Sequence, residues 1–221
     1  MEIENCELIA FDVAGTTVDD DGVVLRAFER AFEESQPENW QERRIQWLEY
    51  ANETMGRSKI EVFTDLLGDH EKARRATTLF EAAYLAEVVK GEVKAIPGTE
   101  QLFHELHDAG IAVGLTTGFS RRILDAIIES LDWSALIDSS STPEEAGRGR
   151  PSPAMLEHLA RQASLSSPNR SIVIGDTQAD MEAGVAFGAG QVIGVRTGAH
   201  REAKLIAAGA TRIINSVADL N

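Results

Sequence analysis

Four short apolar runs, at residues 8–11, 111–115, 172–174 and 192–195, punctuate the chain, and each breaks off at a glycine or a polar turn. Runs this short and this uniformly apolar read as strands buried on both faces, the signature of parallel rather than antiparallel pairing. Amphipathic segments lie between them. Leu102, Phe103, Leu106 and Ala109, and then Ile123, Leu124, Ile127, Ile128 and Leu131, are spaced to cover one face of a helix. Strand and helix alternating in this way predict an α/β fold with a doubly wound parallel sheet, whose ligands collect at the carboxyl ends of the strands.

Residues 22–90 break the rhythm, because they hold helical patterns alone, at 24–34, 40–52, 60–67 and 73–89. An inserted helical cap domain is expected at 20–95, with the core formed by 1–19 plus 96–221. The sequence IPGT at 96–99 marks the return to the core. An insertion placed directly after the first strand's loop would sit over the carboxyl ends of the strands. Trp40 and Trp47, seven residues apart, fit one face of a cap helix. The segment SSSTPEEAGRGRPSP at 139–153 reads as a flexible loop by composition, and no internal repeat is evident.

Composition narrows the function. With 221 residues and a net charge of −15, the chain would repel a polyanion over most of its surface. Nucleic acid and anionic membrane surfaces are therefore excluded as partners, and an anionic substrate must be drawn in locally by a metal, an arginine or a helix N-terminus. No apolar run reaches the ~20 residues of a membrane span and no basic leader is evident, so a cytoplasmic location is expected. The single Cys6 suits a buried small side chain at the head of a strand.

The residues that carry chemistry stand at strand ends: Asp12, Thr117, Arg150, and the pair Asp176 and Asp180. In IVIGDTQAD, Asp176 follows a strand directly and Asp180 comes four residues later, so two carboxylates converge on one loop. Such groups repel, and a hard cation such as Mg2+ held through oxygens relieves the repulsion. The plainer alternative is that Asp176 caps the helix beginning near Ala179.

In this arrangement the sequence resembles the haloacid dehalogenase superfamily of phosphotransferases. FDVAGTT at 11–17 looks like its first motif, GLTTG at 114–118 its second, GRP at 149–151 its third and IGDTQAD at 174–180 its fourth. The resemblance implies that Asp12 is a nucleophile forming an aspartyl-phosphate. It implies that Mg2+ is held by Asp12, the backbone carbonyl of Ala14 and Asp176, with Asp180 in or near the shell. Thr117, Gly118 and Arg150 would bind the phosphoryl group. Thr116 and Arg148 are the neighbouring alternatives, and the positions relative to TTG and GRP favour Thr117 and Arg150.

Most members of that superfamily carry an acid where Ala14 stands, a group that protonates a departing alcohol. Its absence fits either an inactive relative or a leaving group that needs no such proton. The phosphonatase branch is similar in reading alanine before GTT, and there a cap lysine forms a Schiff base with phosphonoacetaldehyde so that carbon leaves phosphorus as an enamine. MGRSKIEVF at 55–63 resembles that branch's cap segment and sets Lys59 at the Schiff-base position, with Met55, Gly56 and Arg57 as cap contacts to substrate. A surface lysine is the plainer reading of Lys59. The sequence departs from the branch at Val62, Phe119 and Gly22, where histidine, tyrosine and cysteine are usual.

The expectation is therefore a Mg2+-dependent, phosphonatase-like hydrolase of a small phosphonate or phosphorylated metabolite, with a phosphate monoester hydrolase as the alternative and a non-catalytic ligand sensor as the reading from another class. The resemblance also implies a homodimer paired through the caps. His104 and His107 read as a solvated helix face, and His70, His158 and His200 have no evident partners. Residues 190–198 read as a strand and its loop, with nothing that requires a nucleotide.

Overall fold

The computed structural model describes residues 5–19 and 21–220. In chain order the elements are β1 (Leu8–Asp12), β2 (Val18–Asp19), α1 (Val23–Ser35), α2 (Trp40–Glu53), α3 (Lys59–Leu67), α4 (His70–Val89), β3 (Lys94–Ala95), α5 (Thr99–Asp108), β4 (Ala112–Thr116), α6 (Arg121–Ser130), β5 (Ser139–Ser141), α7 (Pro143–Ala146), α8 (Ala154–Gln162), β6 (Ser171–Gly175), α9 (Gln178–Phe187), β7 (Gln191–Val195), α10 (Glu202–Ala207) and β8 (Arg212–Ile214).

Among the described residues the main sheet has six strands in the order β5-β4-β1-β6-β7-β8, all parallel. The direction of winding reverses after β5, when the chain crosses to β6 on the far side of β1. That topological switch is where open α/β sheets bind ligands. The strand β1 is buried along its whole length, and its side chains alternate between two cores. Ile9 and Phe11 join the larger cluster with Phe103, Ile123 and Trp133, while Leu8 and Ala10 join Leu156, Leu159, Val173 and Ala183 on the other face. This is the predicted parallel α/β sheet, and the short apolar runs form it because both of their faces are covered.

The two-residue ribbon β2-β3 carries the chain out to α1–α4 and back. In that four-helix segment α1 and α3 both pack on α4. An aromatic nucleus holds it together: the Phe28 ring lies 4.9 Å from both Phe63 and Phe80, and Phe32 stacks on Trp40 at 4.7 Å. Removing one such buried ring typically costs about 3–5 kcal/mol. Gly68, at φ 64, ends α3 in the left-handed conformation, and Asp69 begins α4 by accepting a 2.9 Å bond from the Lys72 amide. Trp40 and Trp47 are buried on one face of α2, as their spacing suggested.

One expectation needs correction, and one alternative falls away. Residues 139–153 are not a flexible loop: they contain β5 and α7, and Ser139, Ser141, Thr142 and Arg150 are buried. Three serines carry no apolar signal, and their strand exists because β4 offers a free edge beside Gly114 to Thr116. Nor is Asp176 the cap of the next helix. Thr177 is, with its hydroxyl accepting from the Asp180 amide while Asp180 bonds back to the Thr177 amide.

Candidate active site

The register of the sheet assembles the site. Asp12, the last residue of β1, lies opposite Thr116 on β4, and Phe11 lies opposite Ile174 on β6. The loops that leave β1, β4 and β6 therefore start at one level, and they bring Asp12, Thr117 and Asp176 to the rim of one cavity of about 230 Å3. Ala14, Gly118 and Arg150 line it from the same side. Met55, Gly56 and Lys59 line it from the four-helix segment.

After β1 the chain turns tightly. Gly15 adopts φ 88, and a Cβ there would stand 2.7 Å from Asp176 Oδ2, so the position requires glycine both for its conformation and for its closeness to the carboxylate. Thr17 Oγ1 donates to the Asp12 carbonyl at 3.0 Å and pins the turn. Across the sheet, Thr16 Oγ1 donates to Asp176 Oδ1 at 3.2 Å and the Ala199 amide donates to Oδ2 at 2.6 Å. Asp176 is fully enclosed, and its carboxyl is pushed up to about 7, first by burial and then by the neighbouring charge of Asp12.

The carboxylate oxygens of Asp12, Asp176 and Asp180 lie within 4.8 Å of one another, and all three residues are buried. Three hard oxygens converging in this way suit a divalent cation of the Mg2+ type, so this donor set could hold a metal. Arg150, only 3% exposed, supplies positive charge to the same cluster: its Nη2 stands 2.7 Å from Asp12 Oδ1, and its Nη1 pairs with Asp180 Oδ1. The other oxygen of Asp180 is occupied by the amide and hydroxyl of Thr177. Arg150 is thus buried with Asp12, whereas Arg148 is exposed. Thr117 faces the cavity while Thr116 belongs to the sheet.

Lys59 begins α3 and is 7% exposed. Its Nζ stands 5.2 Å from the Phe119 ring centroid, 5.6 Å from Phe28 and 5.9 Å from Phe80. It is not a solvated surface lysine, because three aromatic rings surround the amine. Phe119 and Val62 are both buried. Gly22, Val24 and Leu25 complete the wall on that side, with Asp19 and Asn52 as further polar groups at the lining. Arg57 does not join this cavity. It pairs with Asp65 at 2.9 Å and faces an adjoining cleft on the far side of Met55.

Sequence reasoning passed over the loop after β7. Thr197 Oγ1 donates to the Gly15 carbonyl at 2.7 Å, Gly198 packs so closely on Asp176 that a Cβ would be 2.0 Å from Oδ2, and Ala199 supplies the bond already described. The signal was present, since RTGAH at 196–200 follows a fourth buried parallel strand and so sits at the ligand-binding edge of the sheet. His200 is also buried, contrary to the expectation that it lacks partners: its Nδ1 accepts from the Gln178 amide at 2.8 Å. His107, read as part of a solvated face, pairs with Asp138 at 3.0 Å.

Comparison with known proteins places these features in context. A family model described as haloacid dehalogenase-like hydrolase matches residues 6–188. A phosphonoacetaldehyde hydrolase of Bacteroides fragilis is 28% identical over 193 residues, covering 78% of this chain and 73% of the relative. A phosphonoacetaldehyde hydrolase-like protein from Oleispira antarctica superposes with a TM-score of 0.83 at 25% identity, covering 98% of this chain and 90% of the other. A hydrolase from Pseudomonas syringae gives the same TM-score at 21% identity, over 97% and 95% of the two chains, and shares the fold. Among the described residues no helix is long and apolar enough to cross a membrane.

Proposed function

Because the chain belongs to the haloacid dehalogenase-like hydrolases, we propose that it cleaves the carbon–phosphorus bond of phosphonoacetaldehyde or a closely related small phosphonate, with Asp12 as nucleophile and Lys59 as Schiff-base residue. Residues 20–95 serve as the cap and 1–19 plus 96–221 as the core. The observation that carries the reading is the pairing, in one small cavity, of a buried lysine with a nucleophile loop whose acid position is Ala14.

In the proposed reaction the neutral amine of Lys59 condenses with the aldehyde, releasing water to give an imine that takes up one proton from solvent and becomes an iminium ion. The Asp12 carboxylate then attacks phosphorus, and the carbon–phosphorus bonding pair passes into the iminium to leave an enamine. The departing carbon takes no proton from position 14, so alanine suffices there. Water next hydrolyses the aspartyl-phosphate, and protonation and hydrolysis of the enamine release acetaldehyde and free Lys59. Thr117, Gly118 and Arg150 hold the phosphoryl oxygens, the guanidinium offering a planar two-pronged grip. Asp12, Asp176 and Asp180, with the Ala14 carbonyl, would hold Mg2+. When bound, the ion supplies positive charge that offsets repulsion between the nucleophile and the phosphoryl group.

The second reading is a phosphate monoester hydrolase, and a specific observation favours it: the apolar Phe119 ring faces Lys59 and Val62 is buried, at two positions where the phosphonatase branch that the sequence resembles has polar side chains. Borohydride reduction separates the two. In the presence of phosphonoacetaldehyde, a reduced two-carbon adduct is expected on Lys59 by peptide mass. No adduct, together with normal turnover of small phosphate esters, would reject the Schiff base in favour of the esterase. Asp12→Asn should stop phosphate release in either case.

A further inference from the structure

The loop after β7 does more than touch Asp176. The His200 amide donates to the Asp176 carbonyl at 3.2 Å, beside the Ala199 bond to the Asp176 side chain. On its other side, the His200 ring is fixed by the Gln178 amide, which donates to Nδ1 at 2.8 Å. The ring also lies against the backbone carbonyls of Asn52 and Glu53. Lys204, one turn along, brings Nζ to 3.1 Å from Nε2 and donates to the Glu53 carbonyl at 3.3 Å.

Asn52 and Glu53 end α2, where the Met55 amide donates to the Asn52 carbonyl at 3.3 Å and the Glu53 carbonyl sits at the negative end of the helix dipole. A lysine ammonium is a suitable donor for such an end. Two residues farther on, Met55 and Gly56 form the wall of the cavity. One short stretch of the core therefore grips both the metal-cluster residue Asp176 and the helix end that carries the cavity wall. Neither His200 nor Lys204 lines the cavity itself.

We propose that His200 and Lys204 are positioning residues, which fasten the C-terminus of α2 to the loop that orients Asp176, so that seating the cap and setting the carboxylate cluster are one event. The prediction concerns any substrate the cavity accepts, so its failure would leave the chemistry assigned to Lys59 untouched.

Hydrogen–deuterium exchange on the full chain tests it without turnover. Lys204→Met keeps the aliphatic stem and removes the charge. His200→Asn can still accept from the Gln178 amide while losing its reach to α2. In Lys204→Met, exchange across residues 52–57 should quicken on the order of tenfold, equivalent to about 1.4 kcal/mol, with the amides of β1 and β6 unchanged and Lys204→Arg restoring protection. In His200→Asn the same segment should quicken, and the Mg2+ concentration giving half of the thermal stabilisation should rise several-fold. Unchanged exchange at 52–57 in both variants would overturn the proposal, as would exchange that quickens equally throughout the sheet.

Discussion

Arg150 Nη2 lies 2.7 Å from Asp12 Oδ1, with both side chains almost wholly buried. The same guanidinium reaches Asp180, so one cation is shared between Asp12, the proposed nucleophile, and another member of the buried carboxylate cluster. A planar fork holds two oxygens at a fixed separation, a geometry that the compact, rotating donors of a lysine ammonium do not reproduce. Arg150→Lys should therefore fold but lose about one to two orders of magnitude in kcat/KM, the equivalent of one charge-assisted hydrogen bond. Arg150→Met leaves carboxylates buried without their cation and should lower unfolding free energy by roughly 3–5 kcal/mol in chelator. Urea denaturation and steady-state kinetics check the two halves separately.

The raised carboxyl of Asp176 predicts how stability responds to pH without metal. An unfolded aspartate titrates near 3.8, whereas this one titrates near 7 in the fold. The folded state thus binds the proton more tightly between those values, so stability is greatest at the acid end of the window and falls as pH rises from about 4 to 7. Above that it should level off as far as this group is concerned. A bound divalent cation favours the ionised form, so Mg2+ should raise the melting temperature far more at pH 8 than at pH 5. Thermal unfolding with chelator and with Mg2+ at the two pH values would show it. An equal gain at both would mean that Asp176 is not the group being compensated.

Lys59 is buried, and its amine stands among the rings of Phe28, Phe80 and Phe119. Lys59→Met retains an unbranched apolar chain in that cage and deletes only the amine proposed to form the Schiff base. Release of phosphate from phosphonoacetaldehyde should fall by about three orders of magnitude or more, the scale expected when covalent catalysis is lost. Any turnover of phosphate esters should change far less, since Asp12 and Arg150 are untouched. Equal losses on both substrate types would show that the lysine only binds substrate.

The sheet was legible because its central strands are apolar on both faces, and the runs at 8–11 and 172–174 differ from β1 and β6 only at their ends. The strand β5 was not, because Ser139–Ser141 forms it by bonding to the edge of β4, and no side-chain pattern announces a strand made by its neighbour. The site divided along the same line. Asp12, Thr117 and Asp176 stand in fixed relation to strand ends, and the parallel register carries them to one cavity, which Arg150 reaches from the turn between α7 and α8. Arg57 sits beside Lys59 in sequence, but the turn into α3 sends it toward Asp65 instead. His200 and Lys204 were invisible for the opposite reason, since their partner Glu53 lies 151 residues from Lys204 and offers only a backbone carbonyl.

Gly118 marks the closest approach between the second-motif loop and the four-helix segment. A Cβ there would stand 2.4 Å from the Arg57 carbonyl oxygen and 2.9 Å from that of Gly56. Both obstacles are backbone, so no rotamer change can make room. On the other side Gly56, at φ 85, would bring a Cβ to 2.4 Å from Thr177 Oγ1. The turn at 54–57 is thus wedged between the loops after β4 and β6, with no space for one methyl. Gly118→Ala should push that turn away from the core at a cost of about 1–3 kcal/mol, the usual range for overpacking. Because Met55 and Gly56 form the cavity wall, kcat/KM should drop by about ten- to a hundredfold. Cleavage by an added protease near 54–57 should quicken, and the urea midpoint should fall in step with that cost. A variant that keeps full turnover would show that the wedge is not needed for the closed, reactive arrangement.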